Sequence, residues 1–269
     1  MKKKVVLITG GAGGIGVATG QNLKEFKLVI SDYADDVIQK TVDSYNKQGF
    51  DAVGFKCDIT NKEEVEALMN FTKKQGALSG VVHTAGVSET VNDVEQIYNI
   101  NLKGTALILD GVLDIVDEGA SIVLFSSMMG HTVPPSDAYD EALTNPLEEN
   151  SFSSIKNVVK EDSNMMYNFT KRGVLLLTKE NAQRFGAKGA RVNSISPGVI
   201  MTQMGKKAAE EHPEKIKQLL SMTALNRTGE PEDIADVVKF MLSEQSRFMS
   251  GSDLLVDGGV LPSILKYNK

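Results

Sequence analysis

Lys4-Val-Val-Leu-Ile-Thr-Gly-Gly-Ala-Gly-Gly-Ile-Gly16 is the stretch on which the fold turns. An apolar, partly β-branched run, Val5–Thr9, enters a glycine-rich turn, and a helical pattern follows from Ile15 to Phe26. A strand, turn and helix in this order bring backbone N–H groups to a helix N-terminus, where they suit a pyrophosphate. A plain strand–helix turn would also use glycine. Position, strand and helix together favour a bound dinucleotide.

Outward from this stretch, the same rhythm continues. Strand-like runs read at Val5–Thr9, Leu28–Ser31, Ala52–Cys57, Gly80–Thr84, Ser121–Ser126, Arg191–Ser196 and Asp253–Val256. Helical patterns lie between them, for example Asp35–Lys47, Lys62–Lys74, Met165–Phe185 and Pro231–Ser243. This alternation predicts right-handed crossovers and an α/β fold, a doubly wound parallel sheet with helices on both faces. No repeat or Pro/Gly-rich linker divides the 269 residues, so residues 1–269 read as one domain.

Composition narrows the function classes. A net charge of −6 argues against nucleic acid as a general partner. The lone cysteine, Cys57, cannot form an internal disulfide, which fits a reducing compartment and a cytoplasmic location. The apolar run after the lysines covers only Val5 to Ile8, so no secretory signal is read. No apolar run approaches the roughly 20 residues of a membrane span.

Several residues could carry chemistry. Asp32 ends the second strand, where a carboxylate accepts hydrogen bonds from both ribose hydroxyls of NAD and repels the 2′-phosphate of NADP. Neither Tyr33 nor Gly13 supplies a positive charge there. Asp58, after the third strand, is placed to meet the adenine amino group. Each aspartate could instead cap the helix that follows. Tyr167 and Lys171 are spaced i and i+4 and share a helical face. An ammonium beside a phenol lowers its pKa from about 10 and makes it usable in proton transfer. The same spacing also arises by chance.

The ordered motifs together resemble the short-chain dehydrogenase/reductase family over nearly the whole chain. They are Thr9–Gly16 with Gly10, Gly14 and Gly16, Asp58, His83-Thr-Ala-Gly86, Asn101 in Asn99-Ile-Asn-Leu-Lys-Gly104, and Ser126-Ser127-Met-Met-Gly130. Tyr167/Lys171, Ser196-Pro-Gly198, Met201-Thr202 and Asp257-Gly-Gly259 complete the set. The resemblance implies a Rossmann-type sheet of about seven strands and a catalytic set of Asn101, Ser127, Tyr167 and Lys171. It implies cofactor contacts from Gly10, Gly14, Ile15, Gly16, Asp32, Asp58, Ile59, Ala85, Gly86, Tyr167, Lys171, Pro197, Gly198, Val199 and Thr202. NAD is the expected cofactor, a small alcohol or ketone the substrate and a homo-oligomer the expected assembly. No metal, nucleic-acid or membrane partner is expected.

Two departures stand out. His83-Thr-Ala-Gly86 replaces the family's Asn-Asn-Ala-Gly, which is expected to keep the turn but lose a contact supporting the Asn101 helix. His83 reads as a packed, hydrogen-bonded residue more readily than as a base. The second departure is that Tyr167 follows Ser127 by 40 residues, where the family's spacing is about a dozen. Tyr139 sits at the usual distance, but residue 143 is leucine and supplies no cation. His131–Ser163 therefore reads as an insertion, with short helices near Ala138–Leu143 and Ser154–Glu161, either functional or a surface excursion. A similar insertion occurs in the bacterial 3α-hydroxysteroid dehydrogenase/carbonyl reductase branch. It precedes a helix that contributes to the family's dimer interface, which it could block or rebuild.

Methionines at 128, 129, 165, 166, 201, 204 and 222 fall where a pocket should be, and suit a bulky apolar substrate such as a steroid or bile acid. Core filling is their alternative use. Gly205–Thr223 reads as a polar, amphipathic helical lid, with His212 and its lysines on the solvated face. A sugar alcohol or other small alcohol is the competing substrate, and a non-catalytic NAD-binding sensor or scaffold the competing class.

Overall fold

Seven parallel strands form one sheet: β1 (Lys4–Thr9), β2 (Lys27–Asp32), β3 (Asp51–Lys56), β4 (Ala77–His83), β5 (Ser121–Phe125), β6 (Arg191–Pro197) and β7 (Asp253–Val256). The computed structural model describes residues 4–211 and 213–267. The strand order is β3-β2-β1-β4-β5-β6-β7. The chain winds outward from β1 to β3, then returns to place β4 on the other side of β1. That reversal opens a crevice beyond the C-terminal ends of β1 and β4.

The helices are α1 (Gly14–Gln21), α2 (Asp35–Lys47), α3 (Lys62–Gln75), α4 (Val94–Tyr98), α5 (Gly104–Leu113), α6 (Asp137–Thr144), α7 (Ser151–Val159), α8 (Ser163–Gly186), α9 (Gln203–Glu211), α10 (Pro213–Met222), α11 (Pro231–Leu242) and α12 (Leu261–Tyr267). Successive strand residues face opposite sides of the sheet, so a run such as Val5-Val-Leu-Ile8 feeds two cores. Val6 and Ile8 pack with Ile38 and Val42 of α2 and Ile234 and Val238 of α11. Val5 and Leu7 pack with Val65 of α3, Leu109 of α5 and Val174 of α8.

Local chemistry sets several helix starts. The Asn61 side chain accepts from the Glu64 N–H at the start of α3, and the Asp162 side chain accepts from the Met165 N–H at the start of α8. The first helix is shorter than its sequence pattern. It ends at Gln21, where i to i−3 bonds from Asn22 to Thr19 and from Leu23 to Gly20 tighten the chain toward β2. The segment after β6 is helical over Gln203–Glu211 and Pro213–Met222, as its pattern predicts. His212 and the side chains of Met204 and Lys215 lie outside the described residues.

The insertion packs on the body. His131 Nε2 lies 3.1 Å from Ser196 Oγ and 3.0 Å from Asp253 Oδ2, tying its first residue to β6 and β7. Arg172 of α8 donates from Nε and Nη2 to the two carboxylate oxygens of Asp140, at 2.7 and 2.5 Å. Leu143, Ile155 and Val159 join the core on the α8 side of the sheet. Tyr139 is buried there too, edge-on to Phe169, with its hydroxyl donating to the Pro134 carbonyl.

Candidate active site

A cleft of about 790 Å³ runs along the C-terminal ends of β1, β2, β4, β5 and β6. Asp32, Asp58 and Ile59 line one end. Gly10, Gly14, Ile15, Gly16, Ala85 and Gly86 line the middle, and Ser127, Tyr167, Lys171, Pro197, Gly198, Val199 and Thr202 the rest. Sixteen of the seventeen residues expected to be catalytic or to hold cofactor thus line one cavity. Asn101 does not; it is buried behind Gly86.

The turn after β1 is built for close approach. Gly10 holds φ +67°, and a Cβ there would lie 2.5 Å from the Ala85 N atom. The Thr84 hydroxyl donates to the Thr9 and Gly10 carbonyls at 2.8 and 3.1 Å, clamping the turn to the loop after β4. The capping alternatives for the two aspartates fall away. Ala34 occupies the N-cap of α2 and Asn61 that of α3. Asp32 accepts from the Ala12 and Tyr33 N–H groups at 3.2 and 2.9 Å, which fixes its carboxylate at the cleft rim. Asp58 accepts from the Thr60 N–H and hydroxyl.

At the other end, β5 and α8 bring the distant serine and tyrosine together. The Ser126 hydroxyl donates to the Lys171 carbonyl at 2.8 Å, fixing the middle of α8 against the end of β5. Ser127 lies close enough to Tyr167 to pull its phenol pKa down. The Lys171 ammonium donates to the Phe125 carbonyl at 3.0 Å and stands 5.6 Å above the centre of the Tyr167 ring. The expected lowering of the phenol is not what this arrangement produces. Burial pushes Tyr167 up to about 12, against the pull of Ser127, with Glu89 adding to the rise. Burial also pushes the Lys171 ammonium down to about 8. The ammonium is over the ring and committed to Phe125, so burial dominates both groups.

Asn101 lies in a π-helical turn, Asn99–Lys103, between α4 and α5. Its Oδ1 accepts from the Val87 N–H at 2.8 Å and its Nδ2 donates to the Val87 carbonyl at 2.9 Å. A Cβ on Gly86 would lie 3.1 Å from Asn101 Oδ1 and 3.6 Å from Lys171 Nζ, so glycine keeps that approach open. The expected loss at His83 does not occur. Its ring reaches Thr9 Oγ1 at 2.6 Å and Thr105 Oγ1 of α5 at 3.0 Å, so the Asn101 helix keeps a support. Burial, with Lys171 adding to it, pushes His83 down to about 3, which rules it out as a base near neutral pH.

Beyond the serine and tyrosine the cleft has two kinds of wall. Met128, Met129, Val199, Ile216 and Leu219 form an apolar side; Ser88, Glu89, Gln96, Asn164 and Asn168 form a polar one. The other expected methionines divide: Met166 is core, Met165 is exposed and Met222 packs beside Met128. No residue from 131 to 163 lines the cleft, so the insertion does not shape it. The polar wall belongs to none of the sequence motifs. Asn164 and Asn168 are spaced i and i+4 on the helix that carries Tyr167 and Lys171, a periodicity that could have revealed them.

The chain is similar to known proteins along nearly its whole length. Residues 4–139 match the family described as short chain dehydrogenase, and residues 150–261 match that described as Enoyl-(Acyl carrier protein) reductase. The chain is 32% identical to the cyclohexanol dehydrogenase of Acinetobacter sp. (strain SE19), over 95% of its own length and 94% of that protein's. It is 26% identical to the 7alpha-hydroxysteroid dehydrogenase of Bacteroides fragilis, covering 96% of this chain and 95% of that one. A solved short-chain type dehydrogenase/reductase from Mycobacterium ulcerans superposes with a TM-score of 0.75 at 26% identity, over 96% of this chain and 90% of that one.

Proposed function

Since the chain belongs to the short-chain dehydrogenase family, we propose that it is an NAD-dependent oxidoreductase interconverting a secondary alcohol and a ketone. The observation that carries this reading is the cleft itself, with Asp32 at one end and Ser127, Tyr167 and Lys171 converging at the other. A nicotinamide cofactor, when bound, supplies the hydride acceptor or donor. Tyr167 passes a proton to or from the substrate oxygen, and Ser127 donates a hydrogen bond that holds that oxygen near the phenol. Lys171 holds the ribose next to the nicotinamide. Asn101 holds a water that links Lys171 to solvent.

The preference for NAD rests on charge. The Asp32 carboxylate is fixed at the ribose end, and Lys171, at the far end, is the one cation among the described residues lining the cleft. A 2′-phosphate would meet repulsion and no compensating base. The apolar side with Met128 and Met129 suits a ring alcohol such as a hydroxysteroid or bile acid. The relatives named for cyclohexanol and a 7alpha-hydroxysteroid lean the same way. A second reading, a sugar alcohol or other small polar alcohol, draws on the polar wall of Glu89, Gln96 and Asn168. A homo-oligomer in the cytoplasm belongs to the same proposal, and light scattering tests the assembly.

The test is a panel of hydroxysteroids, cyclic alcohols and polyols with NAD⁺ and with NADP⁺. NAD-linked oxidation of a ring alcohol is expected, and Tyr167→Phe should lower turnover by at least ~100-fold while leaving NADH binding intact. Preference for NADP⁺ overturns the assignment made from Asp32. Polyol turnover in place of ring alcohols selects the second reading. NADH binding with no turnover of any alcohol or ketone favours a sensor.

A further inference from the structure

Thr9 and His83 are the last residues of β1 and β4, and they are register partners on the two strands that flank the crevice. His83 is buried, as are Thr9, Thr105 and Asn101. The hydrogen bonds among them leave only one arrangement of protons. The Thr105 hydroxyl donates to the Asn101 carbonyl at 2.8 Å. Its single proton is spent there, so toward His83, 3.0 Å away, it can only accept. His83 Nε2 therefore carries the ring proton. With the ring neutral, Nδ1 is an acceptor and takes the proton of the Thr9 hydroxyl at 2.6 Å.

We propose that His83 is a positioning residue, a neutral Nε2–H imidazole that ties the glycine turn after β1 to the π-helical turn carrying Asn101. The tie is directional: Thr9 donates to His83, His83 donates to Thr105, and Thr105 donates to the Asn101 carbonyl. The Asn101 side chain then locks onto both backbone groups of Val87, in the loop that leaves β4. A π-helical turn has one residue more than the α-helical ladder accommodates, so its backbone needs an outside support. Thr105 supplies it, and His83 orients the Thr105 hydroxyl. The register of Asn101 behind Gly86 and Lys171 is thereby set from the strand that begins the cofactor turn.

The functional consequence rests on the role proposed above for Asn101, but the tie can be tested apart from it. The full-length variants are Thr105→Val, His83→Leu and His83→Gln. Thr105→Val keeps the shape and removes two of the three bonds. His83→Gln can present a carbonyl to Thr9 and an N–H to Thr105. Hydrogen exchange of the Val87 amide, held by Asn101 Oδ1, reports the Asn101 position with no cofactor or substrate present. It should speed up by roughly tenfold in Thr105→Val and His83→Leu and return toward the parent rate in His83→Gln, as expected for one lost buried hydrogen bond. With the alcohol found by the substrate panel, kcat should fall by about tenfold in the same two variants, with KM and NADH affinity unchanged. Parental Val87 exchange in folded Thr105→Val overturns the tie. Equal losses in kcat and NADH affinity reduce His83 to a general packing residue. If no alcohol or ketone is turned over, the oxidoreductase reading fails and the exchange result still decides this one.

Discussion

At the level of single residues, the site is governed by burial. Tyr167 and Lys171 were legible from their spacing, and Asp32 from its place after β2. Their ionisation was not legible, because it depends on what surrounds them in three dimensions. Spacing suggests that an ammonium lowers the phenol. The folded cleft instead seats that ammonium over the ring and against the Phe125 carbonyl, and burial pushes the phenol up. Lys171 falls from its ordinary 10.5 to about 8. Between those values the unfolded chain binds more protons than the folded one, so this group's contribution to stability rises with pH from about 8 to 10.5. At neutral pH the folded state carries the cost of a buried charge. Lys171→Met should therefore raise Tm at neutral pH by about 3 °C, the shift that roughly 1 kcal/mol produces in a chain of this size. It should also abolish turnover. Thermal melts at neutral pH and above the lysine range check both signs; a lower Tm at neutral pH contradicts the burial argument.

Among the elements, the ones with strong periodicity and caps were readable. Asp35–Lys47 emerged as a helix with the expected ends, and the two insertion helices lie within a few residues of their predicted positions. The π-helical turn at Asn99–Lys103 was not readable, since an extra residue in a helical ladder leaves no mark in an apolar pattern. Its role is visible only through what packs on it. Gly86 is the sharpest probe. A Cβ there would crowd Asn101 Oδ1 and approach Lys171 Nζ. Gly86→Ala should leave the far-UV circular dichroism unchanged and lower kcat by at least ~10-fold, because a small displacement of a positioned group is costly. Unchanged kcat would mean that the loop after β4 yields without disturbing either residue. The segment after β6 was equally readable: its amphipathic pattern is helical over Gln203–Glu211 and Pro213–Met222.

For the whole molecule, the decisive feature is how the insertion is held. Its residues join the core beside α8, and its main polar tie is the paired contact between Arg172 and Asp140. Burial alone would push the Asp140 carboxyl up, yet Arg172 and the Ser136 N–H hold it below the usual carboxylate range. A depressed carboxylate stabilises the fold at neutral pH, and that stabilisation is lost as pH falls through its folded value. Asp140→Asn should cost about 2 kcal/mol at neutral pH, typical of a hydrogen-bonded charge losing its partner. The difference between parent and variant should shrink in acid. Urea unfolding at the two pH values measures this, and NADH affinity should stay constant because the insertion lies off the cleft. A variant as stable as the parent at neutral pH would show that the apolar contacts alone hold the insertion. Among the described residues no helix is long and apolar enough to cross a membrane.

The sequence by itself determined the alternation of strands and helices, the dinucleotide turn, the acidic residue after β2 and the Tyr167/Lys171 pair. These are local facts: apolar runs must be buried, glycines admit close approach, and an i, i+4 pair shares a face whatever surrounds it. Only the tertiary structure decided that Ser126 fixes α8 against the end of β5, that His83 supports Asn101 through Thr105, and that the insertion packs away from the cleft. It also decided the ionisation of the site. Each of these depends on groups distant in sequence being desolvated together, and a linear pattern carries no record of who shares a core with whom.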